Sequence, residues 1–315
     1  MGSPEPDPDG QTGEHRRLAQ LLAGRRPPST GLLQVDLGDD CAVLADGTAL
    51  TVDTMVQGVH WDHRLDPADL GWKLVAVNAS DLGAMGARPA WALLSLSLPR
   101  ELDPAWLPAF SRGLHEGLGA FGLSLIGGDT TTSPGPIALS LTVGGRVLRP
   151  VRRGGGRAGD VLWVSGRLGA SARGFFQGGA AWADHARPRP PVALGVALAE
   201  AGLARAMMDL SDGLHADLNR LCAACGLGAE IDPAALPLAP GLADEADAMA
   251  LAVAWGEDYE LLFAAAPEDG PAIEALSRSL GVAVQPIGAL CPALGARLRG
   301  SAWPAPLFSH FGAPR

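Results

Sequence analysis

The stretch PADLGWKLVAVNASDLGAMGARPAWALLSLSL, residues 67–98, decides how the chain folds. Its first part, Pro67–Met85, is periodic in apolar residues and closes at Gly86 and the Arg88–Pro89 step, a pattern that predicts a helix. Its second part, Ala90–Leu98, alternates leucine with serine at period 2, which predicts a half-buried strand. The fold therefore combines a long helix with a strand that follows it directly.

Short strands and helices surround this stretch without a strict βαβ alternation, which favours an α+β fold over a doubly wound sheet. The segment Arg146–Gly159 is rich in arginine and glycine and poor in apolar residues, as is typical of a domain boundary. We therefore predict two α+β domains, 14–149 and 150–315. Residues 1–13 are predicted to be a disordered N-terminal segment, because Pro, Gly, Asp and Glu leave nothing to bury.

The composition excludes several classes of protein. Of the 315 residues, 47% are hydrophobic and 18% charged, which allows a sizeable core. The net charge of −10 argues against a surface for nucleic acid or an anionic membrane. No apolar run approaches the ~20 residues that span a bilayer, and four cysteines make no disulfide framework. We expect a soluble cytoplasmic protein without nucleic-acid or membrane partners. Only one of its 24 basic residues is a lysine, Lys73.

Two familiar motifs occur in the wrong context. Gly154, Gly156 and Gly159 fit G-x-G-x-x-G but precede a predicted strand, whereas a dinucleotide site needs the strand first. Cys222 and Cys225 form a C-x-x-C inside a predicted helix with no second pair, which favours small buried thiols over zinc or redox chemistry. The sequence also lacks G-x-x-x-x-G-K-[ST] and G-x-S-x-G, which excludes a P-loop and a serine-hydrolase elbow.

A set of aspartates interrupts or follows apolar strands, where solvated charges are not expected. Its members are Asp39, Asp40, Asp53, Asp81, Asp129, Asp209 and Asp212. Taken singly, each fits a turn or a helix cap, and Asp212 fits the N-cap of a helix that begins at Leu214. Taken together they are the oxygen ligands that Mg²⁺ prefers, and Mg²⁺ bridges substrate phosphates. The sequence therefore predicts a Mg²⁺-dependent nucleotide site.

Six motifs, in order, resemble the thiamine-monophosphate kinase family, in the superfamily of aminoimidazole ribonucleotide synthetase. They are GDDCAVL, VDTMVQGVHW, KLVAVNASDLGAMGARP, LIGGDTT, MDLSDGL and GEDYELLF, and a terminal FSHF follows. The resemblance covers about Leu37 to Phe311. It implies two domains, each a mixed β-sheet with packed helices, with the active site in the cleft between them. It also implies a homodimer formed through the N-terminal domains.

The same resemblance implies roles for individual residues. It implies several Mg²⁺ ions on Asp40, Thr51, Val52, Asp53, Asp81, Asp129, Asp209 and Asp212. ATP is expected at Gly128, Asp129, Arg153 and Ser211, and thiamine monophosphate at His60, Glu257 and Phe308. Arg153, Asp129 and Asp209 are the expected catalytic residues.

The implied reaction moves the γ-phosphoryl group of ATP onto thiamine monophosphate and gives thiamine diphosphate. Both reactants are polyanions, so Mg²⁺ ions and Arg153 must offset their repulsion. The acceptor phosphate has a second pKa of about 6 and needs no general base, so His60 is assigned to positioning. Glu257 is expected to attract the cationic thiazolium ring.

The sequence departs from the family pattern at four positions. Val52 stands where a hydroxyl residue is usual, so a metal contact there must use the backbone carbonyl. Trp255 replaces a usual glycine, and Thr132 a common arginine. The run RRGGGRAGD leaves Arg152 as an alternative to Arg153.

Other interpretations stay open at this point. A purine-pathway ligase or a selenophosphate synthetase of the same superfamily is one alternative, and a non-catalytic Mg²⁺–nucleotide binding protein is another. Lys73 fits a structural ion pair, Glu257 a turn cap and Phe308 an ordinary core position.

Overall fold

The computed structural model describes residues 13–26, 28, 31–242 and 247–305. Helix α1 (Gly13–Leu22), exposed over residues 17–22, precedes a six-stranded sheet of order β1-β2-β3-β6-β4-β5. Neighbouring strands in this sheet run antiparallel, except β4 and β5, which are parallel. The strands are β1 (Leu33–Val35), β2 (Ala42–Leu44), β3 (Thr48–Val56), β4 (Arg88–Leu98), β5 (Ser124–Thr132) and β6 (Ala138–Arg146). Helices α2 (Pro67–Ala84) and α3 (Trp106–Phe121) lie on one face of this N-terminal sheet.

A second six-stranded sheet, of order β12-β9-β11-β7-β10-β8, follows the connecting segment 147–160. Only its β12–β9 pair is parallel. Its strands are β7 (Val161–Ser165), β8 (Ala206–Asp209), β9 (Gly228–Ile231), β10 (Leu261–Ala265), β11 (Val284–Cys291) and β12 (Gly295–Leu298). The helices are α4 (Ala170–Gln177), α5 (Trp182–Ala186), α6 (Val192–Ala201), α7 (Leu214–Cys225), α8 (Ala248–Ala254) and α9 (Gly270–Leu280).

Helix α2 lies between the two sheets. It begins with Pro67 behind an Asp66 cap whose side chain accepts the Ala68 N–H, and 14 of its 18 residues are buried. It packs closely on α3, because a Cβ at Gly113 would lie 1.6 Å from the Ala68 carbonyl oxygen. On its other side α2 contacts α6 and β8 of the second sheet. The long apolar stretch thus becomes a central helix that both sheets share.

Two mixed sheets with packed helices confirm the predicted α+β class. The alternation in β4 is also as predicted: Leu96 is buried on the face toward α2, and Ser95 is exposed on the other. The domain bounds stay a prediction, although the change of sheet falls within the connecting segment.

Two aspartates expected at turns lie inside strands. Asp53 is in the middle of β3, and Asp129 is in β5, which continues through the two glycines before it. A turn position is therefore wrong for both aspartates, and Gly127 and Gly128 pair with β4.

Among the described residues, every helix is too short or too polar to cross a bilayer. A cytoplasmic location stays a prediction.

Candidate active site

A cavity of about 920 Å³, here the central cavity, lies between α2 and residues from both sheets. Its walls come from β3, α2, β8, the connecting segment and the loops that precede β2 and β10. Many of the residues predicted to be functional line it: Asp40, Thr51, Asp53, His60, Asp81, Arg153, Asp209, Ser211, Asp212 and Glu257. The cavity unites segments that are far apart in sequence.

Three carboxylates meet at one end of this cavity, the acidic end. Asp40 precedes β2, Asp81 is on α2 and Asp209 ends β8, and one oxygen of each lies within 4.8 Å of the others. Asp40 and Asp209 are buried and Asp81 is half-buried. Because like charges at this spacing repel one another, a cation or protons must accompany them.

Hydroxyl groups orient two of these carboxylates. Thr51 donates its hydroxyl to Asp81 Oδ2 at 2.7 Å, and Ser80 donates to Asp209 Oδ2 at 2.6 Å. The neighbouring Asp53 is held by its backbone, whose N–H donates to Asn78 Oδ1 at 3.0 Å. Helix α2 thus positions the acidic end through Asn78, Ser80 and Asp81.

Arg153 brings a positive charge to this end of the cavity. Its Nη2 pairs with Asp40 Oδ1 at 2.5 Å, and its backbone N–H donates to Asp39 Oδ1 at 2.8 Å. Arg152 lies outside the cavity lining, with its carbonyl accepting the Met207 N–H. Of the two candidates, only Arg153 faces the cavity.

Burial raises the pKa of each acidic-end carboxyl, most strongly that of Asp81 and Asp209. The second cause for Asp53, Asp81 and Asp209 is the charge of neighbouring carboxylates; for Asp40 the Arg153 guanidinium partly opposes the increase. Asp40 Oδ2 is moreover buried without a hydrogen-bond partner among the described residues. An all-oxygen donor set with an orphaned carboxylate oxygen fits Mg²⁺.

A second acidic group stands beside the first and was only partly anticipated. Arg220 bridges Asp212 and Asp217 at 2.5 Å each, and Asp217 accepts the Asp212 N–H. Burial raises the pKa of Asp217 to about 7. The alternative that Asp212 caps α7 is wrong, because the N-cap is Gly213. Asp217 and Arg220 gave no signal in the sequence beyond an ordinary charge pair at helical spacing.

The other end of the cavity, the aromatic end, contains Trp61, Phe175, Trp182 and Trp255. The Phe175 and Trp255 ring centroids are 4.9 Å apart, and the Arg64 guanidinium lies 4.1 Å from the Phe175 centroid. Except for Trp255, which was noted only as a departure, these aromatic side chains were not predicted as site residues. Nothing in their spacing indicates that α4 and α5 turn them toward one point.

Glu257, His60 and His185 bring polar groups to the aromatic end. Glu257 pairs with Lys73 Nζ at 3.0 Å and lies 3.4 Å from His185 Nδ1. His60 Nδ1 accepts the Val56 N–H at 2.9 Å. Lys73 and Asp81 are eight residues apart on α2, so roughly 12 Å of helix separates the two ends.

Two predicted residues, Asp129 and Gly128, lie away from the acidic end of this chain, whereas Val52, between the cavity-lining Thr51 and Asp53, turns only its side chain away. Asp129 shares a row with Thr54, Ser140 and Ser95 across the N-terminal sheet, three strands or about 14 Å from β3. This row faces away from α2, so Asp129 is on the opposite sheet face from the acidic end. Gly128 is in the same edge strand, and the side chain of Val52 is 57% exposed on the outward face.

The remaining positions are settled by context. Phe308 lies outside the described residues, and its role stays a prediction. Gly154, Gly156 and Gly159 precede β7, as expected of a loop that is no dinucleotide site. Cys222 and Cys225 are free thiols in α7. Thr132 ends the exposed strand β5.

Comparisons with known proteins agree with this architecture. Residues 38–147 match the AIR synthase related protein N-terminal domain, and residues 157–299 match the corresponding C-terminal domain. Thiamine-monophosphate kinase of Escherichia coli K12 is 40% identical over 277 residues, covering 81% of this chain and 84% of that protein. The enzyme of the same name from Methanopyrus kandleri is 38% identical over 268 residues, covering 81% and 85%.

Two solved structures extend the likeness to the fold. Thiamine-monophosphate kinase from Stenotrophomonas maltophilia superposes with a TM-score of 0.76 at 36% identity, covering 92% of this chain and 96% of that one. AaThiL complexed with AMPPCP and TMP gives a TM-score of 0.81 at 28% identity, covering 97% of each chain. The chain therefore belongs to the thiamine-monophosphate kinase family of AIR synthase related proteins.

Proposed function

We propose that the chain transfers the γ-phosphoryl group of ATP to the phosphate of thiamine monophosphate (TMP), giving thiamine diphosphate and ADP as the last step of thiamine diphosphate biosynthesis. One observation carries the proposal: a buried carboxylate cluster and an aromatic compartment that contains a carboxylate share one cavity. The first suits a metal–polyphosphate group, and the second suits a cationic aromatic ligand. The kinase relatives favour this activity over a purine-pathway ligase or a selenophosphate synthetase.

The acidic end is the proposed site of phosphoryl transfer. Asp40, Asp53, Asp81 and Asp209 would hold Mg²⁺, with Asp212 on a further ion and Thr51 contributing an oxygen. When bound, Mg²⁺ neutralises polyphosphate charge and stabilises charge on the transferred group. Arg153 supports the same charge from the connecting segment, and Ser211 borders the ATP.

The aromatic end is the proposed acceptor site. Rings of Phe175 and Trp255 offer faces to the ligand rings, and Glu257 offers a carboxylate to the thiazolium charge. The acceptor phosphate oxygen attacks the γ-phosphorus while the bond to ADP breaks. Since that phosphate is largely dianionic at neutral pH, no proton must be removed. Burial lowers the pKa of His185 to about 4 and His60 accepts a backbone N–H, so both histidines suit positioning.

The test is product formation from ATP and TMP with and without Mg²⁺, with free thiamine as a parallel acceptor. We expect Mg²⁺-dependent thiamine diphosphate from TMP alone. Product from the purine-pathway intermediate instead of TMP would assign the chain to a sister activity. ATP binding without turnover of either acceptor would favour a non-catalytic nucleotide-binding protein.

We also propose a homodimer formed through the outward face of the N-terminal sheet. Val52 and Leu93 are neighbours across Thr142 on this face, and both are exposed, as is Ile126 at the β5 bulge. Such an apolar patch on a sheet is typical of an interface. Asp129 lies in the row beside it, so a partner that covers this face meets Asp129.

Asp129→Asn is expected to lower turnover by roughly a hundredfold or more while the fold stays intact, because the family resemblance assigns metal and ATP to Asp129, which would then act where the partner covers the outward sheet face in the proposed homodimer. Steady-state kinetics, circular dichroism and size-exclusion chromatography check this. Near-normal activity in a folded variant would mean that Asp129 does not belong to the active site. The test is sharp because Asp129 lies far from the acidic end of its own chain.

Trp255→Leu is expected to raise the KM for TMP about threefold to tenfold and to leave the KM for ATP unchanged, since an aromatic contact contributes about 1 kcal/mol. Trp255 packs on both Phe175 and Phe176 with 4.9 Å between centroids, so the substitution also loosens this wall. Phe176→Leu, on the exposed side of the cluster and outside the cavity lining, is the matched control. An unchanged KM for TMP in Trp255→Leu would place the acceptor rings elsewhere.

A further inference from the structure

Lys73 is the only lysine of the chain, and its side chain is completely buried. It projects from α2 at the aromatic end, where Nζ lies 3.0 Å from Glu257 Oε1 and 3.4 Å from His185 Nε2. Every other basic side chain in the sequence that is not histidine is an arginine. Lysine supplies a compact ammonium group here, whereas arginine would bring a larger planar guanidinium. The position therefore holds a compact buried cation.

The backbone that carries Glu257 is held in an unusual conformation. Glu257 and Tyr259 have φ values of 58° and 52°, a region that residues other than glycine rarely adopt, and Gly256 precedes them at 91°. The N–H groups of Glu257 and Tyr259 donate to the carbonyls of Ser211 and Leu210. Asp258 accepts the N–H groups of Gly169 and Ser171 at the start of α4. Backbone strain of this kind persists only where the surrounding structure holds it in place, and it is common at functional sites.

This segment turns the Glu257 carboxylate into the cavity with only 28% of its side chain exposed. A carboxylate this enclosed loses much of its hydration and needs a fixed partner. Among the described residues, the only cation in salt-bridge range of Glu257, histidine aside, is Lys73. Lys73 can thus both balance the negative charge of the Glu257 carboxylate and fix its orientation.

We propose that Lys73 is a positioning residue for acceptor binding: it holds the Glu257 carboxylate in the orientation that receives the ring system of the acceptor. The inference rests on the proposed function and concerns the acceptor end only. It predicts that Lys73 acts through Glu257, on the affinity for TMP and not on ATP.

His185 completes the arrangement as a neutral neighbour. The Lys73 ammonium can only donate, so His185 Nε2 accepts and Nδ1 carries the proton toward Ser171 Oγ at 3.0 Å. Burial first, and the Lys73 charge second, lower the pKa of His185 to about 4. The other charged groups that face it are Glu257 and Asp62, which raise this pKa, and Arg64, which lowers it. His185 is therefore uncharged near neutral pH while Lys73 is present.

Removing the lysine charge changes this balance. In Lys73→Met the pKa of His185 rises from about 4, because the Lys73 charge that lowers it is gone, while burial, the larger cause, remains. Protonated His185 then supplies the missing positive charge beside Glu257. Acceptor binding by the variant is consequently expected to recover as the pH falls.

The experiment is a kinetic series on the full chain with Lys73→Met, Glu257→Gln, the double variant and Arg278→Met. The last removes an exposed basic charge on α9 as a matched control. At about pH 8 we expect Lys73→Met to raise the KM for TMP on the order of tenfold, with the KM for ATP unchanged. In the Glu257→Gln background, Lys73→Met should raise the KM for TMP little further, because the carboxylate on which Lys73 acts is already absent. The control variant should match the wild type.

The pH dependence distinguishes positioning from a general loss of structure. Compared with the wild type at the same pH, we expect the raised KM for TMP of Lys73→Met to fall as the pH is lowered from about 8 to about 5, and we expect Lys73→Met/His185→Asn to lack this recovery. A KM that is equally raised for TMP and ATP, or additive effects in the double variant, would overturn the proposal. If wild type neither binds nor phosphorylates TMP, the proposed function fails instead. Calorimetric TMP binding and circular dichroism on each variant separate lost affinity from lost fold.

Discussion

Asp81→Asn is expected to lower turnover by roughly a thousandfold and at the same time to make the metal-free protein more stable. Asp81 shares the acidic end with Asp40 and Asp209, with ligand oxygens within 4.8 Å. Its proposed role is to hold Mg²⁺ where charge develops during transfer, so removal of its charge removes that stabilisation. Asparagine keeps the size of the side chain and can still accept the Thr51 hydroxyl.

The gain in stability follows from the sign of the pKa change. Burial and neighbouring carboxylates raise the pKa of Asp81 well above its usual value, so the folded chain binds this proton more tightly than the unfolded chain. Wherever the unfolded chain is ionised, this raised pKa therefore destabilises the fold, by an amount that shrinks as the pH falls below the raised pKa and disappears below the ordinary one. Replacing one acidic-end carboxylate by a neutral amide should therefore raise the free energy of unfolding at neutral pH by on the order of 1 kcal/mol, which corresponds to a few degrees in Tm.

Thermal unfolding with and without Mg²⁺ checks both effects. Mg²⁺ should raise the Tm of the wild type and have much less effect on Asp81→Asn. Asp46→Asn is the control, because the backbone N–H and side chain of Thr48, and then Arg146, hold the pKa of this exposed carboxyl below its usual value. It should leave turnover unchanged and lower the Tm slightly. Normal activity or a lowered metal-free Tm in Asp81→Asn would contradict the metal-site assignment.

Arg153→Met is expected to lower turnover by roughly a hundredfold to a thousandfold, because a cation beside the transferring phosphoryl group contributes strongly to the transition state. The same change leaves buried Asp40 without its ion-pair partner. Breaking such a pair costs about 3 kcal/mol. The metal-free variant should therefore unfold at a lower temperature, and Mg²⁺ should raise its Tm by more than it raises that of the wild type.

Arg152→Met is the matched control, since Arg152 lies one position earlier and outside the cavity lining. Single-turnover rates at saturating ATP and TMP compare the two variants directly. A larger loss in Arg152→Met than in Arg153→Met would mean that the neighbouring arginine faces ATP, the alternative left open by the run of arginines and glycines.

The long helix, the alternating strand and many of the cavity residues could be predicted because each has a local cause. Apolar periodicity gives α2 and leucine–serine alternation gives β4. An aspartate that interrupts an apolar run is exceptional, so Asp40, Asp81 and Asp209 are visible one at a time. Their convergence within 4.8 Å depends on how the two sheets pack together, and the spacing of residues along the sequence does not indicate that packing.

Asp129 and Lys73 show where local patterns are insufficient. The glycines before Asp129 suggest a turn, but pairing with β4 extends them into β5, and only that register reveals which face Asp129 occupies. The partners of Lys73, Glu257 and His185, come from distant loops and helices. Sequence alone therefore left Lys73 as an unremarkable ion pair and did not predict His185 at all.

The connecting segment divides the carboxylates of the acidic end between the two parts of the chain: Asp40 and Asp81 precede it, and Asp209 follows it. Neither part alone contains all three carboxylates. An exchange of one part without the other would separate them, and it would also remove one side of the packing around α2, which contacts both sheets. For natural selection the two parts therefore form a single heritable unit.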